Sequence, residues 1–314
     1  MSLFRPYVYK PRPDLLDNAP VKKGFFRFFE IYFRKFWRFL TLNLWYFLIT
    51  LPMLLYVFYT VNGIFADRLA AAGEGVVLFS GVSFIAAVFS FVPRVLFVPL
   101  LIISVILYGP ITMGLTYIFR NFAREEHAWM SDLWSRAWSN ARQGLFFGIA
   151  DLLMVWLCVN GAFAGGGSSG FLWGVTVVRR VLAILALVIW LFMRHYTYLM
   201  AVTVNLNVFR ILKNAWLFVV LGFGRNVLSG VITLGITVLT FFLAPLLTLV
   251  ILPFFFWSVS WFCTVFTCYP IVKKYIIVPA LEAEAGQEEA SEGPEPETGF
   301  PKGFDSTDER SEEE

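Results

Sequence analysis

The chain has 314 residues, 58% of them hydrophobic and 18% aromatic, and only 15% charged, against about 25% in a soluble globular domain. Uncharged apolar runs of 18 residues or more exclude an ordinary soluble core and require a lipid-embedded one. The net charge of +3 is split: residues 282–314 hold 13 acidic and two basic residues, −11, and residues 1–281 hold 23 basic and nine acidic, +14.

Residues 1–38 read as a cytoplasmic segment, irregular and basic at first. GFFRFFEIYFRKFWRF then mixes aromatic and basic side chains, the pattern of an interfacial helix at the level of the lipid headgroups. The first apolar run follows a long polar segment with no cleavage site behind a short apolar core, so a retained span is expected. That span is 39–61, with Pro52 as a bend. Within 62–94, residues 75–92 are uncharged and apolar yet short and rich in Gly and Ser, and 62–94 is expected as an outward re-entrant or interfacial insertion. The second span, 95–119, has a bend at Gly109-Pro110.

AWMSDLWSRAWSNARQ follows. Met130, Leu133, Trp134, Ala137, Trp138 and Ala141 fall on one helical face, and Ser131, Asp132, Ser135, Arg136, Ser139 and Asn140 on the other. Ser131 is the candidate N-cap. The third span, 143–164, is interrupted by Asp151 alone, and AGGGSSG makes a turn into a fourth at 178–204. NVFRILKNAWLFVV is a second surface helix. Residues 226–272 carry no charge over 47 positions, too long for one span of about 20 residues and enough for two. These are placed at 226–244 and 246–270, turning at Ala244-Pro245. The tail, 276–314, is acidic and does not bury enough apolar surface to fold alone.

With six spans, 18 basic residues fall on one side and four on the other, which places both termini in the cytoplasm of a multi-pass plasma-membrane protein. If 75–92 also crossed, the asymmetry would largely vanish. The fold class is therefore an all-α polytopic bundle: about six transmembrane helices, in three hairpins, each entered through an amphipathic cytoplasmic helix. RKFWRFLTLNL, NARQGLFFGIA and GRNVLSGVITL open the odd spans in similar ways. A three-fold repeat and the positive-inside rule both account for that.

FFEIYFRKFWRFLTLNLWYFLITLP and GPITMGLTYIFRNFAREEHAWMSDLWSRAWSNARQG, with YLMAVTVNLNVFRILKNAWLFVVLGFGRN, resemble the YesL-like family of bacterial membrane proteins of unknown function. The shared pattern is an aromatic-rich first span, a Gly-Pro in the second, and an Arg-containing cytoplasmic helix ending in Asn-x-x-Gln. The resemblance covers 24–60 and 95–275. It implies a role in carbohydrate uptake, because the family's genes lie beside those for sugar import and polysaccharide breakdown. It supplies no catalytic residues. The chain departs from the compact family form at 62–94 and 276–314.

No catalytic constellation is present. His127 and His195 are the two histidines, and neither has a carboxylate and nucleophile at a recognisable spacing. There is no phosphate-binding loop and no zinc motif. Cys158, Cys263 and Cys268 lie in apolar runs as packing residues. No cofactor, no metal and no nucleic-acid partner is expected, because the basic body is what a cytoplasmic face needs against anionic lipid.

The polar signal lies inside the membrane. Asp151 and Arg194 fall roughly 10 and 15 Å from the cytoplasmic boundary at 1.5 Å per residue, on adjacent spans, and are expected to pair, with His195, Tyr196 and Tyr198 as neighbours. Such a pair fixes the packing of one hairpin or lines a pathway. The favoured reading is a non-enzymatic accessory protein for carbohydrate uptake. Its partners are the lipid bilayer and a transporter subunit or a second copy of the chain. The alternative is a small-solute transporter or permease built around Asp151 and Asn160.

Overall fold

The computed structural model describes residues 24–71, 94–163, 170–204, 206–240, 248–279 and 282. The expectations for 1–23, for the centre of the 62–94 insertion, for most of the AGGGSSG turn, for Ala244-Pro245 and for most of the tail lie outside these residues. The chain divides into two compact units, Met1–Val272 and Lys273–Glu314. The described part of the second centres on a π-helical turn, Lys273–Ile277. Among the described residues there is no strand, and the fold is an all-α bundle of membrane type.

The helices of the first unit are α1 (Gly24–Arg34), α2 (Phe36–Ala71), α3 (Arg94–Ala123), α4 (Met130–Ser139), α5 (Ala141–Phe163), α6 (Gly170–Ala201), α7 (Val208–Leu221), α8 (Phe223–Val238) and α9 (248–272). Within α9 a π-helical turn occupies Leu252–Phe256. Five helical stretches are long and apolar enough to cross a membrane: Phe36–Val57, Val95–Ala123, Ala141–Phe163, Gly170–Ala201 and Leu252–Ile277. Among the described residues α8 covers 16, fewer than the roughly 20 of a full span. It qualifies only jointly with α7, from which it is bent by 88°. Pro52 and Pro110 lie inside helices that continue past them, since neighbouring helices in a bundle tolerate the lost donor.

One local arrangement occurs three times. α1, α4 and α7 are short, and each passes into a longer apolar helix through one residue, Lys35, Asn140 or Gly222. The cap of α4 differs from expectation. Its N-cap is Trp129, not Ser131. Asp132 decides this, because its carboxylate accepts the Trp129 backbone N–H at 2.8 Å and closes the first turn two residues earlier.

α3 is the centre of the bundle and touches α1, α2, α4, α5, α6 and α9. Its approach to α5 has no side chains in it. A Cβ on Gly148 would lie 2.7 Å from the Gly109 Cα, one on Gly144 would lie 2.9 Å from Pro110, and one on Gly109 would run into the Gly144 carbonyl. Gly144 and Gly148 form the small-xxx-small pattern that lets membrane helices touch through their backbones. Towards the C-terminal end of α3, Phe39 packs on Phe262, Phe119 and Phe122 with ring centroids 4.8, 5.3 and 5.3 Å apart, and each such pair adds about 0.5–1.5 kcal/mol beyond area burial.

The end of α3 is a Schellman turn: Glu126 N–H bonds the Asn121 carbonyl at 2.8 Å and Glu125 N–H the Phe122 carbonyl at 3.0 Å. Glu125 takes the left-handed position, φ 61°, where glycine is usual and another residue costs on the order of 1 kcal/mol. Its carboxylate offsets this by receiving Arg27 Nε and Arg34 Nη2, each at 3.0 Å. Lys35 reaches the Glu126 carbonyl at 2.9 Å and Arg38 the Ala128 carbonyl at 3.2 Å. α1 is thereby fastened to the 124–129 loop, while Phe25, Phe26, Phe33 and Trp37 face outward.

Two expectations follow. Gly109→Ala or Gly148→Ala lowers stability by at least about 1–3 kcal/mol by overpacking, read as the unfolding midpoint in detergent. Gly174→Ala, with open space around it, leaves the midpoint in place. Separately, hydrogen bonding from Arg34, together with the charge of Arg27, holds the Glu125 carboxyl below its ordinary value. A carboxylate with a depressed folded pKa contributes stability above its unfolded value, near 4.3, and loses it as pH falls through the folded value. Protease protection of α1 should therefore decline over that acidic window, and Glu125→Gln should abolish the dependence.

Candidate functional site

The glycine crossing places Tyr108, one residue before Gly109, against α5 one turn from Asp151. Asp151 is 2% exposed, and a buried carboxylate needs compensation from every side. It has it. Oδ2 accepts the Tyr108 hydroxyl at 2.7 Å and lies 2.8 Å from Arg194 Nη2. Oδ1 accepts the indole N–H of Trp190 at 2.8 Å. Trp190 and Arg194 are four apart on α6, so one helical face supplies both donors. Arg194 Nη2 also donates to the Tyr108 oxygen at 2.6 Å. Three helices, α3, α5 and α6, meet on one carboxylate.

The site extends to α9 through Trp261. The Arg194 guanidinium lies 5.0 Å from its ring centroid, a cation–π contact. His195 and Tyr198 pack on the same ring at 4.9 and 5.7 Å. The Trp261 N–H donates to the Thr116 hydroxyl at 2.9 Å. Thr116 belongs to a stripe on α3, Ser104, Tyr108, Thr112, Thr116 and Arg120, one residue every four and all buried. From first to last it covers about 24 Å at 1.5 Å per residue. Thr112 and Thr116 each bond the carbonyl four residues back at 2.6 Å, which satisfies their hydroxyls within the helix. Tyr46 on α2 meets Thr112 at 3.1 Å. Arg120 closes the stripe by donating to the Val202 carbonyl at 2.7 Å.

The structure brings Asp151 and Arg194 together and arranges their expected neighbours differently. α6 runs to Ala201, so Arg194 lies well inside the helix. His195 faces Trp261 and makes no bond to Asp151. Tyr196 turns away, donating to Asn226 of α8 at 2.7 Å. Tyr198 is buried, and its hydroxyl has no hydrogen-bond partner among the described residues. Asn160 bonds the Trp156 carbonyl of its own helix at 2.8 Å and takes no part in the network. His127 is exposed. Cys158, Cys263 and Cys268 are buried free thiols. No group of three metal-ligating side chains occurs among the described residues.

Tyr108, Trp190 and Trp261 were not anticipated. The four-residue spacing of polar side chains within SVILYGPITMGLTYIFR would have identified the first, since that spacing puts them on one helix face. Chemically, the arrangement holds charge rather than exposing it: both carboxylate oxygens are engaged. A groove of about 580 Å³ lies elsewhere along α6, and its described lining, Phe171, Gly174, Val175, Val178, Arg179 and Leu182, shares no residue with the network.

Compared with known proteins, the chain matches no family model, no curated protein and no solved structure.

Breaking one partner of a buried pair costs about 3–5 kcal/mol, because the other charge is left uncompensated. Asp151→Asn and Arg194→Gln should each show this loss in detergent unfolding. The double variant, which strands no charge, should recover a substantial part of it, and the charge swap Asp151→Arg with Arg194→Asp should fold better than either of its single changes.

Proposed function

We propose that the protein is a non-enzymatic accessory protein of the plasma membrane, with both termini in the cytoplasm, that supports a carbohydrate importer. The observation that carries this reading is the saturation of Asp151. A buried carboxylate bound by Tyr108, Trp190 and Arg194 serves as a packing lock between three helices, not as an open binding residue. The predominance of basic residues, 18 against four, supports the orientation. The resemblance of the first two spans and their cytoplasmic helix to the YesL-like family supports the link to sugar uptake.

A second reading, a small-solute transporter, is favoured by one observation. The Tyr198 hydroxyl and Arg194 Nε are buried beside the same ion pair without partners among the described residues, and unpaired polar atoms inside a membrane protein mark solute or ion pathways.

The two readings separate in one experiment. Cells lacking the protein should lose uptake of an oligosaccharide. Wild type should restore it, and so should the Asp151→Asn/Arg194→Gln double variant, which keeps the packing without the charge. Purified protein alone in vesicles should move no sugar. Flux through the pure protein, abolished by the double variant, would overturn the accessory reading and establish the transporter.

A further inference from the structure

The described cations at the basic end are engaged to different degrees, and Arg142, at the start of α5, is one of the exposed ones. Around α1 and the 124–129 loop they are engaged. Arg27 and Arg34 hold Glu125, Lys35 and Arg38 hold backbone carbonyls, and Arg124 holds Glu126 at 2.7 Å. Arg136 lies over the Tyr117 ring at 4.6 Å. On the α7–α8 elbow the arrangement is the opposite. Arg210, Lys213 and Arg225 are exposed, and none has a hydrogen-bond or ion-pair partner among the described residues.

The elbow has a geometry of its own. α7 lies across α8 at 88° and buries Ile211, Ala215, Phe218 and Val219 against the bundle. Its other face is apolar and uncovered: Phe209, Trp216 and Val220 are 83%, 49% and 65% exposed. Arg210 lies at the Phe209 end of this strip, Lys213 falls within it between Phe209 and Trp216, and Arg225 lies past the bend at the other end. Lys213 and Leu221 are separated by about 12 Å of helix. Apolar side chains flanked by unpaired cations, on a helix turned across a hydrophobic one, match an anionic lipid surface: the rings enter the acyl boundary and the cations meet headgroup phosphates.

We infer that the α7–α8 elbow, and not the more basic α1 region, is where this protein binds anionic phospholipid. The paired cations of α1 have already spent their charge on Glu125 and the loop carbonyls. Those of the elbow have no acceptor within the described chain, and phosphate oxygens supply one.

The test uses the full chain in a neutral detergent, titrated with phosphatidylglycerol, phosphatidylcholine or inorganic phosphate, with the melting temperature as readout. Phosphatidylglycerol should protect, and phosphatidylcholine and inorganic phosphate should not. In Arg210→Gln/Lys213→Gln/Arg225→Gln, half-maximal protection should require about tenfold more phosphatidylglycerol, or protection should be lost. In Arg27→Gln/Arg34→Gln the half-maximal concentration should move by less than about twofold. The charge-keeping variant Arg210→Lys/Arg225→Lys should retain the protection, which separates a loss of charge from a loss of fold. Equal protection by phosphatidylcholine, an unchanged elbow variant, or loss in the α1 variant instead would overturn the assignment. Protection by inorganic phosphate alone would also overturn it, and would show a site for free phosphate.

Discussion

The backbones of α3 and α5 touch at Gly109, Gly144 and Gly148, and the centre of the bundle is arranged around that contact. In a membrane the hydrophobic effect does not drive helices together, because lipid is as apolar as their surfaces. Association depends on close packing and on polar groups that find partners. The glycines provide the first, and by removing the separation between the two helices they permit the second. Tyr108, adjacent to Gly109, reaches the Asp151 carboxylate at 2.7 Å. With a methyl group at the crossing α3 would stand off α5, and Tyr108 would have to stretch or leave the carboxylate to Arg194 and Trp190.

Much of this was legible in the sequence and part of it was not. The all-α membrane class follows from uncharged runs too long for a soluble core. The pairing partner of Asp151 was legible because so few charges interrupt the apolar runs: on the neighbouring span, Arg194 is the cation placed at a matching depth. Neutral donors were not, since a Tyr or Trp in a membrane helix is usually read as an apolar or interfacial residue. The α4 cap was misread for a related reason. Ser131 and Asp132 both suit a helix start, and the spacing that lets a side chain reach back three residues favours Asp132 with Trp129 as the cap. The length of the α7–α8 pair was also hidden. Composition shows an apolar stretch, but the 88° bend at Gly222 sets how much of it is aligned with the span.

The basic end shows that counting charges does not locate free charge. α1 and its junction are richer in cations than the elbow, yet much of that charge is directed inward. The reason is one backbone choice. Glu125 occupies a left-handed position that glycine would fill with less strain, and it thereby presents a carboxylate between Arg27 and Arg34. Both bonds are surface pairs of modest strength singly. Together with the Lys35 and Arg38 bonds to loop carbonyls they fix α1 against the end of α3, which leaves its phenylalanine face outward.

α6 explains why the strongest polar contacts lie where they do. Only 6% of its most apolar stretch is buried, against 28% for α5 and 61% for Leu252–Ile277. A helix so little covered along most of its length is held through the part that does make contact. Tyr196–Ala201 form one continuous buried segment, and Trp190 and Arg194 lie on the two turns before it. The Asp151 pair and the Trp261 cation–π contact thus act at the inner edge of the attachment, where a small separation would otherwise propagate along a long, unsupported helix. In a low-dielectric interior that contact is strong only while every donor remains in place. The lock therefore adds a polar fixed point to the attachment of α6, next to its buried end.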